Sequence, residues 1–271
     1  HEPMGSYGTD TSGTTLPDTV TAYAQYDGHS TSAAIGYSHS MPTTLMVTDI
    51  AAMHYMYGKN MQYNASDTTY TLSSFSNKNY LYASIWDAGG NDTFSWADQS
   101  SISSINLNPG SYSFFGKISS QSDSDIYSTF SAGDGLMGIA YDAIIENAKG
   151  GSASDSITGN SSANTLYGGS GAGVKDTLTG NGGADIFVCS ISDASTDINI
   201  ADLITDFTNG TDKIGLEDKS FSDLTITQIS SGSFSGDVQI KDTSSNKILL
   251  LLDDTDVGLI DADDFIVTDF V

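Results

Sequence analysis

The spacing of apolar residues divides the chain into stretches of different character. Residues 1–42 carry turn residues throughout, as in "SGTTLPD" and "YDGHSTS", and predict irregular coil that leans on other structure. In "MPTTLMVTDIAAMHYMYGKN" the apolar positions Met46, Ile50, Met53 and Tyr57 recur at helical spacing, which predicts one α-helix over 43–57. Pro42 suits a first turn, Thr43 or Thr44 can cap it, and Gly58 stops it. From 60 to 148 the pattern turns to β: "YLYASIWD", "SISSINLN" and "GIAYDAIIENA" alternate or run apolar between turn clusters. After residue 198 short strands return in "DLITDF", "DLTITQI", "DVQIKD", "KILLLLDD" and "DFIVTDFV", with "DTSSN" (242–246) as a hairpin loop. The longest apolar run, "ILLLLDD" from Ile248, reads as a buried strand and is far too short to span a membrane.

The stretch 150–188 is a repeat. Its units are GGSASDSIT (150–158), GNSSANTLY (159–167), GGSGAGVKDTLT (168–179) and GNGGADIFV (180–188). An acidic or amide residue falls in phase at Asp155, Asn164, Asp176 and Asp185, and an apolar one at Ile157, Leu166, Leu178 and Phe187. The third unit is stretched around Gly173-Val174-Lys175. A nine-residue period of this character is the signature of a calcium-binding parallel β-roll. One aliphatic per unit cannot offset the entropy of ordering nine residues, at roughly 1–2 kcal/mol each. Glycines permit the turn and aim carbonyls inward, the Asp adds a carboxylate, and Ca²⁺ accepts such an irregular cage of 6–8 oxygens where Mg²⁺ does not. A flexible Gly/Ser linker has no reason to keep both positions in phase four times. The predicted calcium ligands on the turns are Gly150, Ser152 and Asp155, Gly168, Ser170 and Asp176, and Gly183 and Asp185. Alternate units stack on one side of a roll, so the first turn is expected to face the third and the second the fourth. The fold class that follows is mainly β: a parallel β-roll flanked by antiparallel strands, with one α-helix toward the N-terminus.

Composition agrees with an ion-binding protein. There are 34 acidic residues against 9 basic ones, for a formal net charge of −25, and every basic residue is Lys. Nucleic acid and anionic membranes are thereby poor partners; the acidic excess reads either as solubility in salty water or as charge that bound divalent cations partly neutralise. Cys189 is the lone cysteine, so no intramolecular disulfide holds the fold, and it reads as a buried thiol. No cleavable signal peptide is visible. The start at "HEPMGSYGTD", without an initiator Met, reads as the processed or partial product of something longer.

These motifs, in this order, resemble the C-terminal half of a serralysin, a secreted zinc endopeptidase of the metzincin group. The resemblance runs from about residue 10 onward. "TLMVTDIAAMHYMYGKNM" is similar to the helix that closes the protease lobe, and "IWDAGGNDTF" (85–94) to a calcium-binding turn that opens the roll domain. "IIENAKGGSASDSITGN" and "LITDFTNGTDKIGL" (203–216) resemble the segments flanking the repeats, and "DFIVTDFV" the terminus read by type I secretion machinery. The resemblance implies that Asp87, Gly89 and Asp92 share an ion with Asn64, Ser66 and Thr68. It further implies that Gly90 and Asp92 share a second with Glu146 and the Ile144 carbonyl, and that Asp206 and Asp212 close a site against the last turn. It divides the chain into a remnant of the protease lobe (1–58), a β lead-in with calcium sites (59–149), the β-roll (150–188) and a β cap with a secretion region (189–271).

The departures bear on catalysis. Catalytic zinc needs three protein ligands and a base, and the family's HExxHxxGxxH motif is absent. The histidines are His1, His29, His39 and His54, none four residues from another. The family's Met-turn aligns with Thr21-Ala22-Tyr23, which lacks the Met. Zinc is therefore not expected in this chain, and several calcium ions are. An EF-hand reading of "DDTDVGLIDADDF" (253–265) fails because Gly258 is one place early and Phe265 holds the twelfth position. The expected function is that of a secreted calcium-binding module which folds after export, is not catalytic in this chain, and has calcium ions and the secretion machinery as partners. The alternatives are a fragment of an active zinc metalloendopeptidase, whose partner is the missing protease half, and a structural protein that associates with copies of itself. The 14 tyrosines suit the last.

Overall fold

The computed structural model describes residues 44–71, 74, 81–115, 135–171 and 173–270. The predicted coil over 1–42, with His1, His29, His39 and Thr21-Ala22-Tyr23, lies outside the described residues.

Among the described residues one α-helix, α1 (Val47–Tyr57), precedes a series of short strands. Seven of these form one sheet: β1 (Thr69–Thr71), β3 (Thr93–Ser95), β7 (Asn147–Lys149), β9 (Thr165–Tyr167), β11 (Ile186–Ser190), β13 (Lys213–Glu217) and β17 (Phe265–Val267). They lie side by side in that order, every neighbouring pair parallel. The facing sheet has ten: β2 (Leu81–Ile85), β4 (Ser103–Asn106), β5 (Tyr112–Phe115), β6 (Gly135–Ile139), β8 (Ser156–Thr158), β10 (Thr177–Thr179), β12 (Leu203–Ile204), β14 (Leu224–Gln228), β15 (Val238–Asp242) and β16 (Ile248–Leu252). Its centre, β4-β8-β10-β12-β16, is parallel, while β4-β5-β6 and β14-β15-β16 are antiparallel. The chain alternates between sheets at each turn of the roll, so β8 and β10 are neighbours in one sheet and β9 and β11 in the other.

Each three-residue strand turns its middle side chain inward, except the last, β17, which turns in its first residue, Phe265; the residues flanking each inward one face away, as the two-residue period of a strand requires. Register brings these together as two rows. One is Tyr70, Phe94, Ala148, Leu166, Phe187, Ile214 and Phe265. The other is Ile105, Ile157, Leu178, Ile204 and Leu252. All of them are buried, and the phased positions of the repeat fall in these rows. At the lead-in end Trp96 stacks on Phe115 with ring centroids 3.7 Å apart, and Phe94 stacks on the same ring at 5.5 Å. These rings, with Phe94 itself a member of the first row, fill the lead-in end of the core.

Three expectations need correction. The helix begins at Val47 with Met46 as its N-cap, not at 43. Thr44 does not cap it. Its hydroxyl is used by the sheet, accepting from the Ser84 N–H at 2.7 Å, and Asp49 takes the Met46 N–H instead. The apolar stripe is only half covered: Met46 and Ile50 are buried, but Met53 is 43% and Tyr57 76% exposed. Helical spacing places residues on one face without supplying a neighbour for the whole face. Third, "GIAYDAIIENA" is not one strand; the chain leaves β6 at Ile139 and turns before β7. The loop "DTSSN" does close the β15–β16 hairpin, with Asn246 at φ 58° donating its N–H to the Asp242 carbonyl.

Candidate metal centre

The residue immediately before each short strand of the roll lies at the rim, and these residues form two ladders. In the first, the Ser103 N–H donates to Asp155 Oδ1 at 2.6 Å, the Asp155 N–H to Asp176 Oδ1 at 2.7 Å, and the Asp176 N–H to Asp202 Oδ1 at 2.9 Å. In the second, the Thr68 N–H donates to Asp92 Oδ1 and the Asp92 N–H to Glu146 Oε2, both at 2.7 Å. Further along, the Asn164 N–H donates to Asp185 Oδ1 at 2.8 Å and the Asp185 N–H to Asp212 Oδ1 at 3.0 Å. The first turn thus faces the third and the second faces the fourth, as the repeat predicts.

The ladders bury carboxylates that no basic side chain pairs directly, and the Lys175 ammonium offsets only part of the charge, at Asp202. Asp92, Asp155, Asp176, Asp185 and Asp212 are each at most 3% exposed. Among the described residues the ion pairs are Lys59–Asp142 and Lys219–Asp242, and neither includes a ladder member. Burial, with Asp202 and Asp155 close by, pushes the Asp176 carboxyl up to about 8. Burial likewise raises Asp202 to about 7, and Asp92 and Asp185 to about 6 each, with like charges nearby. Stacked buried carboxylates without counterions are costly, and a divalent cation removes that cost.

The predicted lead-in ligands meet in one place. Three segments, 64–68, 87–92 and Glu146, converge on Asp92. Its Oδ2 is buried and has no hydrogen-bond partner, which leaves a carboxylate oxygen free for an ion. Asp87 Oδ2 accepts from the Tyr70 hydroxyl at 2.5 Å and its Oδ1 from the Gly89 N–H at 2.9 Å. Asn64 donates to the same Tyr70 hydroxyl at 2.8 Å, so Tyr70 holds the two segments in register. A Cβ on Gly90 would lie 2.7 Å from the Ser66 carbonyl carbon and 2.9 Å from Asp92 Oδ1. The side chain of Ile144 is 44% exposed and turned to solvent.

On the first-ladder side, the turns 150–155 and 168–176 press their backbones together. A Cβ on Gly150 would lie 2.0 Å from the Gly168 carbonyl oxygen, and one on Gly168 would lie 2.3 Å from Asp176 Oδ2. The Ser152 carbonyl lies 2.7 Å from the corresponding point on Gly171, while the Ser152 and Ser170 side chains are exposed. This cradle of carbonyls and carboxylates suits a hard cation. Beyond the fourth turn, Asp206 accepts the N–H groups of Gly180 and Asn181 at 2.8 and 2.7 Å. Asp212 Oδ2 accepts from Thr208. The Ser162 carbonyl oxygen lies 2.4 Å from the point where a Cβ on Gly183 would sit.

Two participants escaped the sequence reading. Asp202 continues the first ladder, and Asp202-Leu203-Ile204 repeats the acid-x-aliphatic pattern of Asp176-Thr177-Leu178. The signal was present but lay 26 residues on, beyond an insertion without glycine. Asn160 fills the second turn with a fully engaged side chain. Cys189 is buried as expected, and burial raises its thiol pKa. Outside the ladders, Asp237, Asp253 and Asp254 bring carboxylate oxygens within 4.8 Å of one another. Among the described residues no helix is long and apolar enough to cross a membrane.

Comparison with known proteins finds the same region elsewhere. The family described as "Peptidase M10 serralysin C terminal" matches residues 47–269. Metallopeptidase AprA of Pseudomonas marginalis is 41% identical over 186 residues, which are 63% of this chain and 36% of that protein. Serralysin G of Dickeya chrysanthemi is 36% identical over 127 residues, 44% of this chain and 24% of its own length. Serralysin of Photorhabdus luminescens is 34% identical over 130 residues, 45% and 24% respectively. The alignments thus span between a quarter and about a third of these curated relatives.

Proposed function

Because the chain belongs to the serralysin C-terminal family, we propose that it is a calcium-binding β-roll module that folds when it meets calcium outside the cell. The observation that carries this reading is the buried acidic ladder, with Asp92 Oδ2 left without a partner. Asp92, with Asp87 and Glu146, would hold ions at the lead-in. Asp155 and Asp176 would hold one between the first and third turns, and Asp185, Asp206 and Asp212 one beyond the fourth. Calcium supplies the charge that lets these carboxylates lie side by side, and its binding free energy becomes folding free energy. With little free calcium inside the cell the ladders repel and the chain stays open for export by type I machinery. Outside, the ions close it. Equilibrium dialysis against calcium tests the reading: several bound equivalents support it, and none would overturn it.

A second reading is that this module serves a metallopeptidase. The relatives carry that name over a length the chain only partly covers. The exposed apolar side of α1 and its exit, with Tyr55 93% and Tyr57 76% exposed, suits contact with a further protein lobe. The chain by itself is expected to leave casein uncut, because catalytic zinc needs three protein ligands and an adjacent base and none of the four histidines supplies such a set.

A further inference from the structure

The second turn, Gly159–Asn164, departs from the other turns of the roll. It contains no acidic residue: the phased position is Asn164, and the second position is Asn160. Asn160 is 2% exposed and its side chain points into the turn. Its Nδ2 donates to the Ile145 carbonyl at 2.8 Å and to the Leu107 carbonyl at 3.2 Å. Its Oδ1 accepts from the Ser162 N–H at 2.9 Å and from Asn164 Nδ2 at 3.2 Å. Two donors and two acceptor positions are all a primary amide has, so this side chain is saturated. Asn164 is nearly so: its Oδ1 accepts the Asn160 N–H at 2.7 Å, and its Nδ2 also reaches the Glu146 carbonyl at 3.0 Å.

We infer that this turn is closed by an amide instead of a cation, and that Asn160 makes the seam between the lead-in strands and the repeats independent of calcium. The inference rests on the calcium reading of the other turns. A bound cation gathers carbonyl oxygens from successive turns onto one positive centre. The Asn160 NH₂ group does the same here, drawing together carbonyls from the exit of β4 and the approach to β7. Its N–H bonds occupy the lone pairs a cation would use. The turn also supplies no carboxylate, and calcium affinity falls with the charge of the ligand set. Asn181, at the same place in the fourth unit, behaves differently. It is exposed, and its Nδ2 reaches across to the Gly159 carbonyl of the second turn at 2.8 Å instead of filling its own turn, which is left to Asp185. The roll therefore has one rung that can be in place before any ion arrives, and the calcium turns can stack on either side of it.

Amide hydrogen exchange of the full chain, in excess calcium and in excess EGTA, tests this. The amides of Asn160 and Ser162, which donate within the turn, are expected to exchange at the same rate in both, while those of 150–155 and 168–176 speed up by at least about tenfold in EGTA. If the amides of Asn160 and Ser162 accelerate in step with the neighbouring turns, the inference is overturned. If no turn responds to EGTA, the calcium reading fails, and the amide closure is judged by Asn160→Asp alone. That variant keeps the shape and loses both donors, so protection of 159–164 in EGTA should fall by at least about tenfold. Protection equal to that of the unaltered chain in EGTA would overturn the amide closure.

Discussion

The backbone N–H of Asp155 is held by the side chain of Asp176, 21 residues later, at 2.7 Å. The bond ties two consecutive turns on one side of the roll, and it means that each carboxylate also positions the turn before it. An ion bound at Asp176 would therefore also fix the backbone at Asp155. From this follows cooperative loss when the ions are removed.

Chelation should open the acidic turns on either side of 159–164 over a narrow range. A site held at a hundredfold excess over its Kd contributes about 2.7 kcal/mol, and in a domain of this size each kcal/mol moves Tm by about 2–4 °C. Three sites lost together should lower Tm by on the order of 15 °C or more. Circular dichroism melts in calcium and in EGTA measure this, with loss of β signal in EGTA. Coincident melts would contradict the ladder as an ion site.

Asp92 should be the most costly single ligand to lose. It accepts the Thr68 N–H, its own N–H reaches Glu146, and its Oδ2 is buried without a partner. Asp92→Ala should therefore remove more bound calcium than Asp185→Ala and loosen residues 64–68 and 146 together. Calorimetric titration of both variants gives the ranking; an equal loss would refute it.

Within the third unit two glycines should respond differently to a methyl group. Gly169 has φ +117°, and a Cβ there would lie 2.0 Å from the Gly151 carbonyl oxygen. Gly173 has φ +91° but nothing within 4 Å. Gly169→Ala carries both backbone strain and a clash, and should cost about 3 kcal/mol or more. Gly173→Ala carries strain alone and should cost roughly 1–2 kcal/mol. Denaturant titration in calcium distinguishes them.

The cap should carry an acid-sensitive element of its own. Lys219 Nζ lies 2.7 Å from Asp242 Oδ1, and that ammonium, then Ser245 and Ser244, hold the Asp242 carboxyl well below the usual carboxylate range. A depressed folded-state pKa stabilises the fold above the unfolded value of about 3.9 and stops doing so as pH falls through the folded value. The difference in Tm between the unaltered chain and Asp242→Asn, both in EGTA, should be full at pH 6 and shrink below about pH 4. A difference constant across that range would rule this pair out as the cause.

The phase of acid and aliphatic in 150–188 determined, by itself, which residues enter the core and which reach the rim. That information is local: a strand of period two fixes the facing of Ile157, Leu166, Leu178 and Phe187 once the turns are placed. The same locality predicted the helix and the hairpin at 242–246. Partners separated along the chain were another matter. Asp202 joins the ladder only because the insertion 191–201 returns the chain to the same edge, and no period announces that. Thr44 had a good claim to cap α1, but the edge of β2 offered its hydroxyl a strong backbone donor in Ser84. Asn160 and Asn181 hold the same place in their units, yet one turns into its own turn to meet two carbonyls and the other reaches across to one carbonyl of the facing turn. That choice depends on the unequal loops before the second turn, which bring the Leu107 and Ile145 carbonyls within reach of Asn160. Only the assembled structure fixes such distances, because they are set by closure of chain segments far apart in sequence.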